Sequence, residues 1–183
     1  MATTRSNTRE RILTAAAAVA RESGPGSLSL DAVAARAGVS KGGLLYNFPT
    51  KAKLLQSLVE AHVAEFDQAL ETGVAGGESL VQSFVRLSAE ACEQDEAPAA
   101  WIFSAIAEDP EFLAPVTVHR RRLLARLMEE TNDPSRLLVI FLAIEGMRSL
   151  KLFDAEILSE EQRRQVVERV LRITGQTTPE AAA

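Results

Sequence analysis

Ser29-Leu30-Asp31-Ala32-Val33-Ala34-Ala35-Arg36-Ala37-Gly38-Val39-Ser40-Lys41-Gly42-Gly43-Leu44-Leu45-Tyr46-Asn47-Phe48 is the stretch whose reading decides the fold. Ser29 is a good N-cap, and Leu30, Val33, Ala34 and Ala37 then share one face at helical spacing. Gly38 follows the last periodic residue, where a helix ends in the left-handed conformation glycine tolerates best. Val39 can plug the turn and Ser40 can cap the next helix, which Leu44, Leu45 and Phe48 fold back onto the first. Two short helices over a glycine turn make the helix-turn-helix plan, whose second helix enters the DNA major groove. The same spacing also fits an ordinary αα-hairpin in a helical core.

Finer detail separates the two. Ala37-Gly38-Val39-Ser40, the Tyr46-x-Phe48 pair and Lys51 three residues beyond Phe48 together resemble the DNA-binding domain of the TetR family of bacterial transcriptional regulators. With the helix before and the start of the helix after, the resemblance covers roughly residues 8 to 60. It implies three helices for DNA, a fourth that connects, and a larger helical domain for effector and dimer contacts.

Composition agrees with a DNA-binding segment on an acidic body. Residues 1–53 contain eight Lys or Arg against three acids, a surplus of five positive charges. The whole chain of 183 residues carries a net −5, so the remainder holds a surplus of ten negative charges. A basic segment confined to one domain is an electrostatic DNA footprint. No run of eighteen apolar residues exists to span a membrane. The polar Met1 to Arg11 segment has no signal-peptide character, so a cytoplasmic location is expected. The single Cys92 allows no internal disulfide and no cysteine zinc site, and fits best as a small buried side chain.

Almost every segment has a period near 3.6, so the expectation is an all-α protein of about nine helices. The first runs from about Thr8 to Ser23 and is stopped by Gly24-Pro25-Gly26. Pro49-Thr50 separates the recognition helix from a fourth, connecting helix at about 51–70, and Gly73, Gly76 and Gly77 mark the boundary beyond it. Further helices are expected near Ser79–Gln94, Pro98–Glu108, Pro110–Thr131, Pro134–Phe153 and Ser159–Thr174, with a frayed tail from Thr178. The expected domains are 1–53 for DNA and 72–183 for effector binding and dimerisation.

Each candidate DNA residue has a physical reason. Ser29 and Ser40 are caps, and in the family that the chain resembles these positions also touch phosphate. Lys41 lies in the first turn of the recognition helix, where a side chain meets base edges or backbone. Gly42 and Gly43 cost roughly 1 kcal/mol each in a helix against alanine, which makes sense where backbone approaches DNA. Tyr46 and Asn47 are expected to face the groove while Leu44, Leu45 and Phe48 face the core. Lys51 matches a family lysine that grips phosphate, and Arg36 is a further candidate. Arg5, Arg9 and Arg11 suggest a flexible basic arm. The chain departs from the family pattern, which often has a hydroxyl side chain at Gly43, usually tyrosine at Leu45, and histidine or tyrosine at Asn47.

In the second domain Phe84, Trp101, Phe103, His119, Met128, Phe141 and Met147 are the candidates for an effector pocket, with core packing as the plainer account. His119 precedes Arg120-Arg121-Arg122, a basic run that fits a solvated face or an anion contact. Leu137 to Ile144 is apolar all round and must be covered on all sides. Leu138, Phe141 and Leu142, with Val166, Val170 and Ile173, are therefore expected at a two-fold dimer interface, and two recognition helices would read a palindrome.

No catalytic, metal or cofactor signature competes. The residues three before His62 and His119 are Val59 and Val116, so the Glu-x-x-His pairs of di-metal bundles are absent. No nucleophile elbow, phosphate loop or dinucleotide fingerprint occurs either. The expected function is a homodimeric, non-enzymatic transcriptional regulator that binds double-stranded DNA and is released from a palindromic operator by a small effector. A helical protein–protein adaptor is the alternative.

Overall fold

The computed structural model describes residues 2–23, 28–93, 113–152 and 157–175. Eight α-helices and no strand occur among them: α1 (Ala2–Ser23), α2 (Leu30–Ala37), α3 (Lys41–Asn47), α4 (Lys51–Ala75), α5 (Leu80–Glu93), α6 (Ala114–Glu129), α7 (Pro134–Leu152) and α8 (Glu160–Gly175). The protein is all-α, as its periodicity implies. The helix expected at Pro98–Glu108, the Gly24-Pro25-Gly26 stop and the tail from Thr178 lie outside the described residues, as does the Cys92 side chain.

Caps fix most of the helix starts. Ser29 Oγ accepts from the Ala32 amide at 3.0 Å, Ser40 Oγ from Gly43 at 3.0 Å and Thr50 Oγ1 from Lys53 at 3.1 Å. The starts of α5 and α8 carry reciprocal capping boxes. Ser79 Oγ accepts from the Gln82 amide while Gln82 Oε1 accepts from the Ser79 amide, and Ser159 and Gln162 repeat the pattern.

The chain forms two compact units, residues 1–64 with 96–119, and residues 65–95 with 120–183. In the first, Ile12, Ala16, Val33, Leu44, Phe48, Leu54 and Leu55 are buried together. Alanines at 15, 16, 34 and 37 let α1 and α2 approach closely. In the second, Leu70, Leu80, Phe84, Val85, Leu127, Leu137 and Ile144 form the core, with the Phe84 and Phe141 rings stacked at 5.8 Å.

Three expectations change. α1 begins at Ala2 rather than Thr8, because nothing in residues 2–7 breaks a helix, so the basic arm is part of a helix. Arg9 and Arg11 are occupied inside the first unit. The Arg9 guanidinium lies 5.1 Å from the Phe48 ring centre and donates to Ser57 Oγ at 3.0 Å. Arg11 Nη2 donates to Ala37 O at 2.6 Å. Second, α4 continues to Ala75, so Gly73 lies within a helix and the chain turns at Gly76-Gly77, where Gly77 has φ +98°. Third, the basic run on α6 is only in part a solvated face: Arg121 and Arg122 are exposed, yet Arg120 pairs with Glu145 of α7 at 2.8 Å and Arg122 with Asp67 of α4, as Arg126 beyond the run does with Glu71 at 2.7 Å.

Gly73 has a packing reason. A Cβ there would meet Ser83 Oγ, and Glu78 Oε2 at 2.7 Å. These atoms are locked, since Glu78 takes a two-pronged grip from Arg86 at 2.8 and 2.9 Å and a hydrogen bond from Ser83 at 2.6 Å. Those donors, Arg86 foremost and then Ser83, hold the Glu78 carboxyl down at about 2.

Two outcomes follow from this cluster. Gly73→Ala gains about 1 kcal/mol of helix propensity but overpacks by about 1–3 kcal/mol. A net loss near 1 kcal/mol is expected, seen as a Tm lower by roughly 2–4 °C. Because the folded Glu78 is more acidic than the unfolded one, its contribution is complete above the ordinary carboxylate range and fades as pH falls toward 2. Thermal unfolding of Glu78→Gln beside the parent should show a gap at neutral pH that closes on acidification.

Candidate nucleic-acid interface

The helix-turn-helix is set by three local events. Gly38 closes α2 with φ +64° and ψ +38°, and its amide and that of Val39 bond back to Ala35 O and Ala34 O at 3.2 and 3.0 Å. Arg11 holds the Ala37 carbonyl of this turn from α1. Leu44 and Phe48, four residues apart, are then buried on the core side of α3. The opposite face carries Lys41, Gly42, Leu45 and Tyr46 in solvent, Tyr46 being 70% exposed.

The structure gives each expected contact residue a definite setting. Ser29 and Ser40 are exposed N-caps. Lys41 Nζ is 3.0 Å from Asp31 at the start of α2, an exposed pair across the turn. Arg36 is forked onto Glu22, with Nη2 to Oε1 at 2.6 Å. Asn47 does not reach out: it is half-buried and its Nδ2 donates to Gly43 O within α3 at 2.8 Å. Lys51 is half-buried in the first turn of α4. A Cβ on Gly43 would press on the cap at 3.3 Å from Ser40 Oγ, whereas one on Gly42 would find Ser40 Oγ only at 4.0 Å.

Leu45 departs from the expectation that it faces the core. It is 36% exposed, because Leu44 and Phe48 already fill the inward face and one further residue turns 100° away. Its place next to Leu44 in a seven-residue helix shows that the two cannot share one face, but not which of them is buried.

The second unit gathers part of the expected effector set. Phe84, Phe141, Met128 and Met147 belong to one core, with Phe84 and Met147 buried and Phe141 and Met128 partly so. His119 is buried and belongs to the first unit. Trp101 and Phe103 lie outside the described residues. A groove of about 470 Å³ in this unit is lined by other residues, among them Gln68, Thr72, Gly73 and Arg86. Of the expected interface residues, Leu138 and Leu142 are exposed, Val166 and Ile173 half-buried, and Val170 is buried in its own core. Among the described residues no group of three or more His, Cys, Asp or Glu is placed to hold a metal, and no helix is long and apolar enough to cross a membrane.

A capped helix-turn-helix with a solvent-facing second helix defines a DNA-binding regulator. A family model described as "Bacterial regulatory proteins, tetR family" matches residues 12–58. A second, "Tetracyclin repressor-like, C-terminal domain", matches residues 78–175. The chain belongs to the TetR family of transcriptional regulators. Members of this family act by binding DNA and are generally not enzymes. No curated protein matches the chain. Solved structures share its fold. SCO7518 from Streptomyces coelicolor A3(2) is 23% identical over 92% of this chain and 99% of its own, with a TM-score of 0.67. A member of the TetR family, SCO1917 from Streptomyces coelicolor A3, is 25% identical over 89% and 97%, with a TM-score of 0.66. The multidrug binding protein EbrR, in complex with imidazole, is 20% identical over 94% and 97%, with a TM-score of 0.65.

The Lys41–Asp31 pair generates a prediction. Asp31→Asn removes the carboxylate that Lys41 meets and releases a cation. Binding to duplex DNA is expected to tighten, with a salt slope steeper by about one unit. Fluorescence anisotropy across a salt series measures both.

Proposed function

We propose that the chain is a homodimeric repressor that leaves a palindromic operator when a small molecule binds its second domain. The observation that carries this reading is the outward face of α3, where Lys41, Gly42, Leu45 and Tyr46 stand in solvent on a helix locked by buried Leu44 and Phe48. In this reading residues 1–53 bind DNA and 72–183 bind the effector and the second protomer, inside the cell where the DNA is. Ser29, Ser40, Tyr46 and Lys51 hold phosphates, and Arg36 and Asn47 contribute once their present partners are exchanged. Lys41, Gly42 and Gly43 meet the groove. Exposed pairs such as Lys41–Asp31 are worth only about 0–1 kcal/mol, so a phosphate or base edge can displace them.

Dimerisation rests on an apolar face. Leu138, Val139 and Leu142 of α7 and Leu171 of α8 are exposed, Val139 and Leu142 at 63% and 67%. A second copy would cover them together with Phe141, Val166 and Ile173, and Val170 would support the interface from beneath. An effector is supported by the aromatic and methionine core around Phe84, Phe141, Met128 and Met147; of the other expected pocket residues, His119 belongs to the first unit and Trp101 and Phe103 lie outside the described residues. EbrR, a multidrug binding protein of like fold, has been solved with malachite green and with ethidium. An effector acts by favouring the conformation that does not fit DNA.

Selection of bound duplexes from a random DNA library, followed by salt titration, tests the reading. A palindrome with steep salt dependence is expected. Binding without any preferred site would favour the adaptor instead. On the selected duplex, Lys51→Ala should weaken binding to all sequences alike and flatten the salt slope by about one unit. A changed sequence preference at unchanged affinity would overturn its phosphate role.

A further inference from the structure

The polar side chains of α3 and its cap are largely engaged with the protein. Lys41 meets Asp31, Asn47 Nδ2 donates to Gly43 O, and Ser40 Oγ accepts from the Gly43 amide. Exposed along the same helix are bare backbone at Gly42, the branched side chain of Leu45 and the ring of Tyr46. Gly42, Leu45 and Tyr46 are spaced three and four apart, so they share one face. Among the described residues nothing requires a glycine at 42. Its φ is not in the left-handed region, which among the described glycines only Gly38 and Gly77 occupy, and a Cβ would find ordinary contact at 4.0 Å. A residue that weakens the helix and serves no internal packing leaves space for something outside.

We propose that α3 reads its site by apolar contact, with Leu45 seated on the C5-methyl group of a thymine in the major groove and Gly42 letting the backbone come close enough for it. The proposal rests on α3 being the recognition helix. Thymine alone among the four bases presents a methyl group in the major groove. Leucine has no donor or acceptor. Against guanine it would cover the N7 and O6 acceptors, and against cytosine the N4 donor, leaving them without partners. The same side chain therefore attracts thymine and penalises a G·C pair at that position.

The test uses the duplex selected for the parent protein. Each thymine of a half-site is replaced in turn by deoxyuridine, which removes the methyl group and keeps the pairing. One replacement should weaken the parent about four-fold, the cost of one buried methyl. The same replacement should leave Leu45→Ala unaffected, with circular dichroism confirming that the variant is folded. Gly42→Ala supplies a second readout. It should raise Tm, because alanine suits a helix better, while weakening binding to the selected duplex at least ten-fold. Tolerance of uracil at every thymine would overturn the proposal, as would a loss that persists undiminished in Leu45→Ala. Gly42→Ala binding as tightly as the parent would overturn the close approach. These failures occur on a duplex that is bound with a preferred sequence. If no preferred duplex is recovered at all, the regulator reading falls first and this proposal with it.

Discussion

The left-handed turn at Gly38 is the constraint on which the first unit depends. α2 and α3 can both place their apolar residues on α1 only if the chain reverses within Gly38-Val39-Ser40. Residues with side chains rarely adopt a φ of +64°, and Arg11 Nη2 stands 3.2 Å from where a Cβ would be. The same arginine holds the Ala37 carbonyl, so the turn is set both from within and from α1. Once that angle is set, burial of Leu44 and Phe48 leaves the other face of α3 to solvent.

Charge placement follows from this packing. The basic surplus of the first 53 residues is not a brush of free cations. Arg9 braces Phe48 and Ser57, Arg11 braces the turn, Arg36 grips Glu22, Lys41 meets Asp31, and Lys53 reaches Gln56 at 2.9 Å. Two of these arginines support the motif from behind, and the lysine pair lies on its exposed side. The surplus of five positive charges belongs to residues 1–53, and its exposed pairs exchange partners at little cost.

The second unit uses charge differently. Arg122 and Arg126 on α6, four residues apart, meet Asp67 and Glu71 on α4, also four apart, so one turn of each helix repeats the pairing. Arg120 and Arg148 both reach Glu145 from α6 and α7, and Arg148 lies 5.3 Å from the Phe66 ring centre. The acidic balance of this part of the chain is thus partly consumed in helix-to-helix ties. Its apolar face on α7 and α8 is the opposite case, since among the described residues Leu138, Val139 and Leu142 are exposed while Ile140 and Ile144 on the same helix are buried.

The sequence by itself determined the all-α class, the two motif helices, their caps at Ser29 and Ser40 and the turn at Gly38. Each of these depends on residues within a few positions, where spacing and backbone preference suffice. It also raised the expectation that Leu137 to Ile144 is covered on every side, whereas Leu138, Val139 and Leu142 are exposed in this chain. Tertiary structure decided the rest. Gly73 reads as a boundary in the sequence but belongs inside α4, since the atoms that exclude a side chain there come from Glu78, Ser83 and Arg86. Arg9 and Arg11 read as a free arm, yet their partners at Ala37, Phe48 and Ser57 lie 26 or more residues away. Leu45 reads as core beside Leu44, and only the orientation of α3 on its neighbours shows which of two adjacent leucines is buried. Periodicity tells which residues share a face; contact with distant parts of the chain decides which face is inside.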